Sequence, residues 1–326
     1  MIRTQRLQRS ELAVPATSAR FIEKAAKCAA DAIFLDLEDA VIPELKPQAR
    51  KNAIVALNEI DWGAKTVSVR VNALDTPWGC RDVIEVAEAC PRLDRILLPK
   101  CDTPGHVIAV ELMLAGVESG RIAGSTAGRR IGLEALIETA QGLANVEAIA
   151  AAGERLEALI FGAGDFQLDM QIVQRSVGAP SSKYAVLTDA GAGPRERHWN
   201  DPWHFALARV ATACRANGLL PIDGPYTNIG DPDGFRAATE RAAALGFEGK
   251  WAIHPSQIDA ANEIFSPSQE QIAWAKDVLA ALSAAGREGK GAVKNKDGDM
   301  IDMAHAKMAR ALLTRAERVE RHGAAR

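Results

Sequence analysis

The sequence predicts an α/β fold: a parallel TIM-type (β/α)8 barrel with a C-terminal helical extension. Three observations lead there. Short, β-branched apolar runs alternate with Ala-rich amphipathic stretches, and the runs count to eight. No strand–turn–helix junction carries the GxGxxG of an open, dinucleotide-binding sheet.

The eight runs occupy residues 12–15, 32–37, 66–71, 95–99, 131–137, 158–161, 219–222 and 250–253. Most are continuously apolar rather than alternating, as strands covered on both faces are. Between them, residues 20–30, 49–59, 79–89, 104–115, 140–152, 202–217 and 232–245 repeat apolar side chains at helical spacing. Several of these stretches stop at Gly or Asn, as at Gly153, Asn217-Gly218 and Gly246, which suit helix C-termini. Two regions fall outside the rhythm. Residues 171–200 form a polar, Gly/Pro/Ser-rich connection, longer than ordinary loops and therefore a candidate lid. From Ser266 onward come an Ala-rich helix, a Gly/Lys-rich break and a final helix over 303–320. The expected division is a catalytic barrel over 1–265 and an extension over 266–326 that packs on a neighbouring subunit.

Composition excludes several classes. With 39 Lys+Arg against 42 Asp+Glu, the net charge of −3 is wrong for a general nucleic-acid binder. No apolar run reaches the roughly 18–20 residues of a membrane span. At 48% hydrophobic, the chain is too apolar for disorder and long enough to bury an ample core. The five cysteines form no CxxC pair and are odd in number, which fits free thiols in a reducing compartment. The N-terminal MIRTQRLQRSELAVP lacks the apolar core of a secretory signal, so a cytoplasmic location is expected.

Barrel chemistry sits at the C-terminal ends of the strands. Seven of those ends carry polar or titratable groups: Glu38 and Asp39, Arg70 and Asn72, Lys100, Glu138, Asp165, Asp223, and His254. Glu138 and Asp165 follow consecutive strands, so their carboxylates can meet at one rim. Two carboxylates with positions left for water and substrate suit Mg2+ or Mn2+. No His or Cys has zinc-ligand spacing. The alternative for the pair is a salt-bridged cluster with Lys100 and Arg70. The planar fork of Arg70 can hold a substrate carboxylate or a developing enolate, and an ion pair with Glu38 or Asp39 is compatible with that. His254 reads better as a satisfied strand-end histidine than as a base. Cys101 reads as a plain buried thiol. In HWNDPWH, Asn200 or Asp201 suits a helix cap with Pro202 in the first turn.

Several motifs then appear in order: DLEDAV (36–41), SVRVN (68–72), LPK (98–100), IETAQG (137–142), FGAGDF (161–166), GKWAIHP (249–255) and MIDMAH (300–305). Together they resemble the citrate lyase β-subunit-like group of the HpcH/HpaI aldolase superfamily. DWGAKTVSVRVNALDTPW, HWNDPWH and LLPIDGP are similar to the malyl-CoA/β-methylmalyl-CoA lyases within it. The similarity spans about residues 11–320. It implies a Mg2+-dependent carbon–carbon lyase that joins or cleaves an acyl-CoA and glyoxylate. In that pattern Glu138 and Asp165 hold the metal. Arg70 faces the glyoxylate or enolate oxygen, and Gly164 lets the backbone approach the ligand. Ile253 and His254 line the substrate pocket, Arg20 and Lys24 lie near the CoA phosphates, and Asp302 is the acid/base supplied by a partner chain. A homotrimer or homohexamer follows from that donation. The segment AVPATSAR departs from the Phe-Gly-Pro-Gly-Ser-Arg-like opening of the lyases, and its arginine is displaced. The rival activities are a malyl-CoA thioesterase and a citramalyl-CoA lyase giving acetyl-CoA and pyruvate.

Overall fold

A computed structural model of the chain describes residues 6–121, 130–181, 183–188 and 193–324. Its first elements are β1 (Ser10–Pro15), α1 (Ala19–Ala26), β2 (Ala32–Asp36), α2 (Lys46–Glu59), β3 (Thr66–Arg70), α3 (Gly79–Ala89), β4 (Arg95–Leu98), α4 (Pro104–Arg121) and β5 (Gly132–Ile137). Then come α5 (Ala140–Ala144), α6 (Val146–Ala150), β6 (Leu156–Phe161) and α7 (Ala163–Asp169). After a small ribbon, β7 (Ala185–Leu187) and β8 (Arg197–Trp199), follow α8 (His204–Asn217), β9 (Leu220–Asp223), α9 (Pro232–Ala244), β10 (Gly249–Ala252) and α10 (Ile258–Ile264).

The strands close in the order β1-β10-β9-β6-β5-β4-β3-β2, and every pairing in the ring is parallel. This is the expected eight-stranded barrel. The polar connection between α7 and α8 is not simply a loop, because β7 and β8 pair antiparallel within it. The helix expected over 140–152 is two short ones, broken at Asn145, which ends α5 and starts α6. Pro202 does not open α8, which begins at His204; Asp201 Oδ1 instead accepts the Trp203 N–H at 3.0 Å. Gly218 ends α8 with φ of 68°, a left-handed cap that glycine takes without strain.

Residues two apart on a strand share a face, and that alternation fills the barrel interior with side chains. The middle of the barrel is apolar: Phe34, Leu97, Leu136, Ala158, Ile160, Leu220, Ile222 and Trp251 pack as one buried cluster. Two residues before Leu97 and Leu136 stand Arg95 and Glu134, both fully buried. Arg95 Nη1 lies 3.0 Å from Glu134 Oε1 and donates to Gln8 Oε1 at 2.8 Å. Glu11 joins them, accepting the Trp251 indole N–H at 2.8 Å and a Gln8 amide N–H at 2.9 Å. Burial, reinforced by the neighbouring Glu134 charge, pushes the Glu11 carboxyl well above its ordinary range. The barrel floor is therefore a buried ionic network. The rim lies one step above the apolar layer, at Arg70 and Glu138.

Contacts between Cα atoms divide the chain into one unit up to Asn262 and a second from Glu263. The second unit holds α11 (Gln269–Arg287), a hairpin of β11 (Val293–Lys294) and β12 (Met300–Ile301), and α12 (Met303–Ala324). Its core is Ala275, Val278, Ile301 and Ala309. A capping box starts α11: Ser268 Oγ accepts the Gln271 N–H, and Gln271 Oε1 accepts the Ser268 N–H. No described helix is long and apolar enough to cross a membrane.

Removing one partner from a buried ion pair costs about 3–5 kcal/mol, because the other charge stays buried. Arg95→Met should therefore lower the unfolding free energy by about that amount in chemical denaturation. A loss below about 1 kcal/mol would show that the floor network is not stabilised by its arginine.

Candidate active site

The strand register assembles the rim before any loop contributes. Asp36 ends β2 and stands directly beside Arg70, which ends β3. Adjacent strands thus present an acid and a base at one level, as cross-strand pairs do. The Arg70 guanidinium forks onto Asp36, with Nε 2.7 Å from Oδ1 and Nη2 2.6 Å from Oδ2. Its third nitrogen, Nη1, lies 2.9 Å from Glu38 Oε2 and 3.6 Å from Asp39 Oδ2. The guanidinium carbon stands 5.6 Å from the ring centroids of both Phe34 and Trp251, a cation–π seat on the apolar layer. Burial alone would weaken the arginine's grip on its proton, but Asp36 outweighs it and raises the pKa. Burial likewise opposes ionisation of Asp36, and the Arg70 charge nevertheless holds that carboxyl below its usual range. Arg70 is a fixed, permanently charged fork.

Lys100 follows β4 with a φ of 47°, left-handed for a residue with a Cβ. Such strain persists where the surroundings impose it. Its N–H donates to Glu138 Oε1 at 2.8 Å. Its ammonium bonds to Glu38 Oε1 and lies 3.0 Å from Asp165 Oδ2. Glu138 and Asp165 are thus brought to one residue. Burial opposes the Lys100 charge, yet the bond to Glu38 prevails and the pKa is raised.

Glu138 is buried just beyond β5, and Gly162 makes room for it. A Cβ at Gly162 would come within 2.5 Å of Glu138 Cβ and 2.7 Å of Oε2, closer than real side chains approach. Burial pushes the Glu138 carboxyl well up, and the Glu38 and Asp165 charges push it further. Asp165 sits in the first turn of α7, and its buried Oδ2 has no well-aligned hydrogen bond. Among the described residues, Asp36, Glu38, Asp39, Glu138 and Asp165 thus face only two cationic side chains, Arg70 and Lys100. Excess carboxylate and a penalised Glu138 are what a bound divalent cation relieves. Among the described residues, no three His, Cys, Asp or Glu side chains form a metal cage. A two-carboxylate set fits Mg2+, which keeps several waters and takes ligand atoms from its substrate.

The other predicted positions separate into groups. Gly164 lies in α7, where a Cβ would make only ordinary contact with Val177 at 3.7 Å, so packing does not demand glycine. Ile253 is half-buried, and its N–H donates to Gln257 Oε1 at 2.9 Å. His254 is exposed and caps a short 3-10 turn, its Nδ1 accepting the Ser256 N–H at 3.2 Å. Arg20 and Lys24 are exposed on α1, one helical turn apart. Asp302 is exposed in the second unit, where Oδ1 accepts the Ala304 N–H at 2.9 Å. Its hydrogen bond to His305 holds the carboxyl below its usual range. Asn72 and Asp223, also at strand ends, serve packing. Asn72 is bonded to Lys46 and Asp82, and Asp223 pairs with the buried Lys250 at 2.5 Å. Burial pushes the Cys101 thiol up to about 12, which leaves it inert. Asp36 carries most of Arg70's bonding, although the sequence pointed to Glu38 or Asp39. It closes the apolar run AIFLD, and only its registry with Arg70 marks it.

The family model for the HpcH/HpaI aldolase/citrate lyase family matches residues 9–255, which cover the whole barrel. The chain belongs to this family. Within it, an L-malyl-CoA/β-methylmalyl-CoA lyase of Rhodobacter capsulatus is 45% identical over 315 residues, covering 96% of this chain and 95% of that protein. A (3S)-malyl-CoA thioesterase of Cereibacter sphaeroides is 34% identical, covering 95% of each chain. Among solved structures, CitE of Mycobacterium tuberculosis in complex with magnesium, acetoacetate and coenzyme A is 29% identical. It superposes with a TM-score of 0.70, over 94% of this chain and 97% of that one.

A carboxyl whose pKa is raised by folding destabilises the fold only where it ionises, above its unfolded pKa. With EDTA present, Glu138→Gln should therefore leave the melting temperature unchanged near pH 4. Toward pH 8 it should raise it by roughly 2–4 °C, the equivalent of about 1 kcal/mol. Parallel melting curves across that range would contradict the penalty on Glu138.

Proposed function

We propose that the chain is a Mg2+-dependent carbon–carbon lyase. It cleaves L-malyl-CoA to acetyl-CoA and glyoxylate, or β-methylmalyl-CoA to propionyl-CoA and glyoxylate, reversibly. The observation that carries this reading is 45% identity, over nearly the whole of both chains, to a protein of that name. The thioesterase relative stands further off, at 34%. The family's barrel and the acid-rich rim support it independently.

Glu138 and Asp165 are the residues to hold the ion, which supplies Lewis acidity to the oxo-acid's carbonyl when bound. In the joining direction Asp302 removes a proton from the carbon next to the thioester. The resulting enolate carbon attacks the aldehyde carbon of glyoxylate, forming the carbon–carbon bond, and the new alkoxide takes up a proton. Arg70 stabilises the negative charge that develops on oxygen. Its fork is already fixed by Asp36 and seated on two rings, so no reorganisation accompanies the reaction. Cleavage is the reverse. Asp302, flanked by exposed Met300 and Met303, suits delivery by a neighbouring copy of the chain. Burial there would raise its basicity from the depressed value it has when exposed. A homotrimer or homohexamer, with the second unit covering a neighbour's site, follows from this.

The test is to incubate the protein with Mg2+, glyoxylate and either acetyl-CoA or propionyl-CoA, with and without EDTA, and to weigh the CoA products. Malyl-CoA or β-methylmalyl-CoA formed only without EDTA is expected. Free CoA with malate would instead establish the hydrolase, and pyruvate as the required oxo-acid the citramalyl-CoA activity. Arg70→Lys loses the fork and should cut kcat at least 100-fold. Asp302→Asn should bind Mg2+ and acyl-CoA normally while turnover falls by about 1,000-fold; near-normal turnover would remove Asp302 from the mechanism.

A further inference from the structure

The proposed reaction does not use Lys100, yet Lys100 touches both metal-binding acids. Its ammonium bonds to Glu38 and lies 3.0 Å from the buried Oδ2 of Asp165. It also stands 3.9 Å from Asp39 Oδ1. Resting on the metal assignment above, we propose that Lys100 is the rim's internal counter-cation. Its ammonium competes with the divalent ion for Asp165, and Glu38 is the acceptor that retains the ammonium when the ion binds.

Three features single out Lys100 for this task. The rim carries more acid than base, so the carboxylates need a cation to fold beside one another. Arg70 cannot yield, because it is only 9% exposed and forked onto Asp36. Lys46 cannot either, since it is buried and bonded to Leu37 O, Glu38 O and Asn72 Oδ1. Lys100 alone of these three has a flexible, 36% exposed side chain, with one acid on either side of its ammonium. Its backbone contributes differently. The left-handed turn fixes the N–H on Glu138 Oε1, so this metal-binding acid stays oriented wherever the side chain goes. Glu38 is suited to hold the displaced ammonium because Oε1 faces Lys100 while Oε2 faces Arg70. The arrangement makes metal binding a cation exchange, weaker and more readily reversed than two bare carboxylates would allow.

Mg2+ and Mn2+ affinities, by titration calorimetry and by the Mn2+ paramagnetic signal, test this without reference to turnover. Lys100→Met should tighten binding about tenfold, as expected for removing one nearby, partly screened positive charge. Lys100→Gly, which also relieves the positive φ, should act in the same direction. Glu38→Gln should weaken binding several-fold in the natural chain and much less in the Lys100→Met background, a coupling that a double-mutant cycle isolates. In EDTA, Lys100→Met should melt below the natural chain, and saturating Mg2+ should erase the difference; a purely structural lysine would leave the deficit in both. Unchanged or weaker metal binding by both Lys100 variants overturns the proposal while leaving the metal site standing. If the natural chain binds neither ion, or Asp165→Asn binds as well as it does, the metal assignment itself fails.

Discussion

The buried fork between Arg70 and Asp36 is the interaction on which the rim depends. It forms because two neighbouring parallel strands end at the same level, one in an acid and the other in a base. A guanidinium this deep is tolerated only when its donors are met, and here three carboxylates and two aromatic rings meet them. With Arg70 fixed, Glu38 is held, and Glu38 in turn offers Lys100 an acceptor. The remaining acids are then crowded together, and Glu138 is pushed toward its neutral form. The rim thus has a geometry set by packing and a charge left for a cation to balance.

The barrel interior explains how such a rim can be afforded. Its ionic groups lie on either side of an apolar plug, and Trp251, part of that plug, touches both, with its ring near Arg70 and its N–H on Glu11. In the floor, Gln8, Arg95, Glu134 and Glu11 are bonded to one another, while Glu11 Oε1, Arg95 Nε and Arg95 Nη2 have no well-aligned hydrogen bond. The acid excess and the arginine fork lie at the rim, the mouth where barrel enzymes place their chemistry.

The eight strands were legible in the sequence because strands buried on both faces leave continuous apolar runs, and the glycine stop at Gly218 was legible for a local reason. The rim acids Glu138 and Asp165, and Arg70, were also readable, since each follows or closes such a run. What escaped was whatever depends on registry between strands. Asp36 reads as part of an apolar run until β3 is laid beside it. Arg95 and Glu134 fall within the expected runs 95–99 and 131–137, but that they point inward follows only from their place two residues before Leu97 and Leu136. Asn72 and Asp223 looked equivalent to the rim acids, but their partners, Lys46 with Asp82 and Lys250, turn them to packing. The β7–β8 ribbon escaped because three-residue strands leave too short a pattern in a polar segment.

The indole of Trp251 has a consequence for anyone mapping this protein by loss of function. Its ring lies under Arg70, while its N–H is tied to Glu11 in the opposite mouth. A substitution at Glu11 would remove that tie, and any shift of the ring would be felt at the guanidinium beside it. A screen scored by catalysis alone would therefore draw Glu11 into the reaction centre, although an entire hydrocarbon layer lies between that glutamate and any reactant.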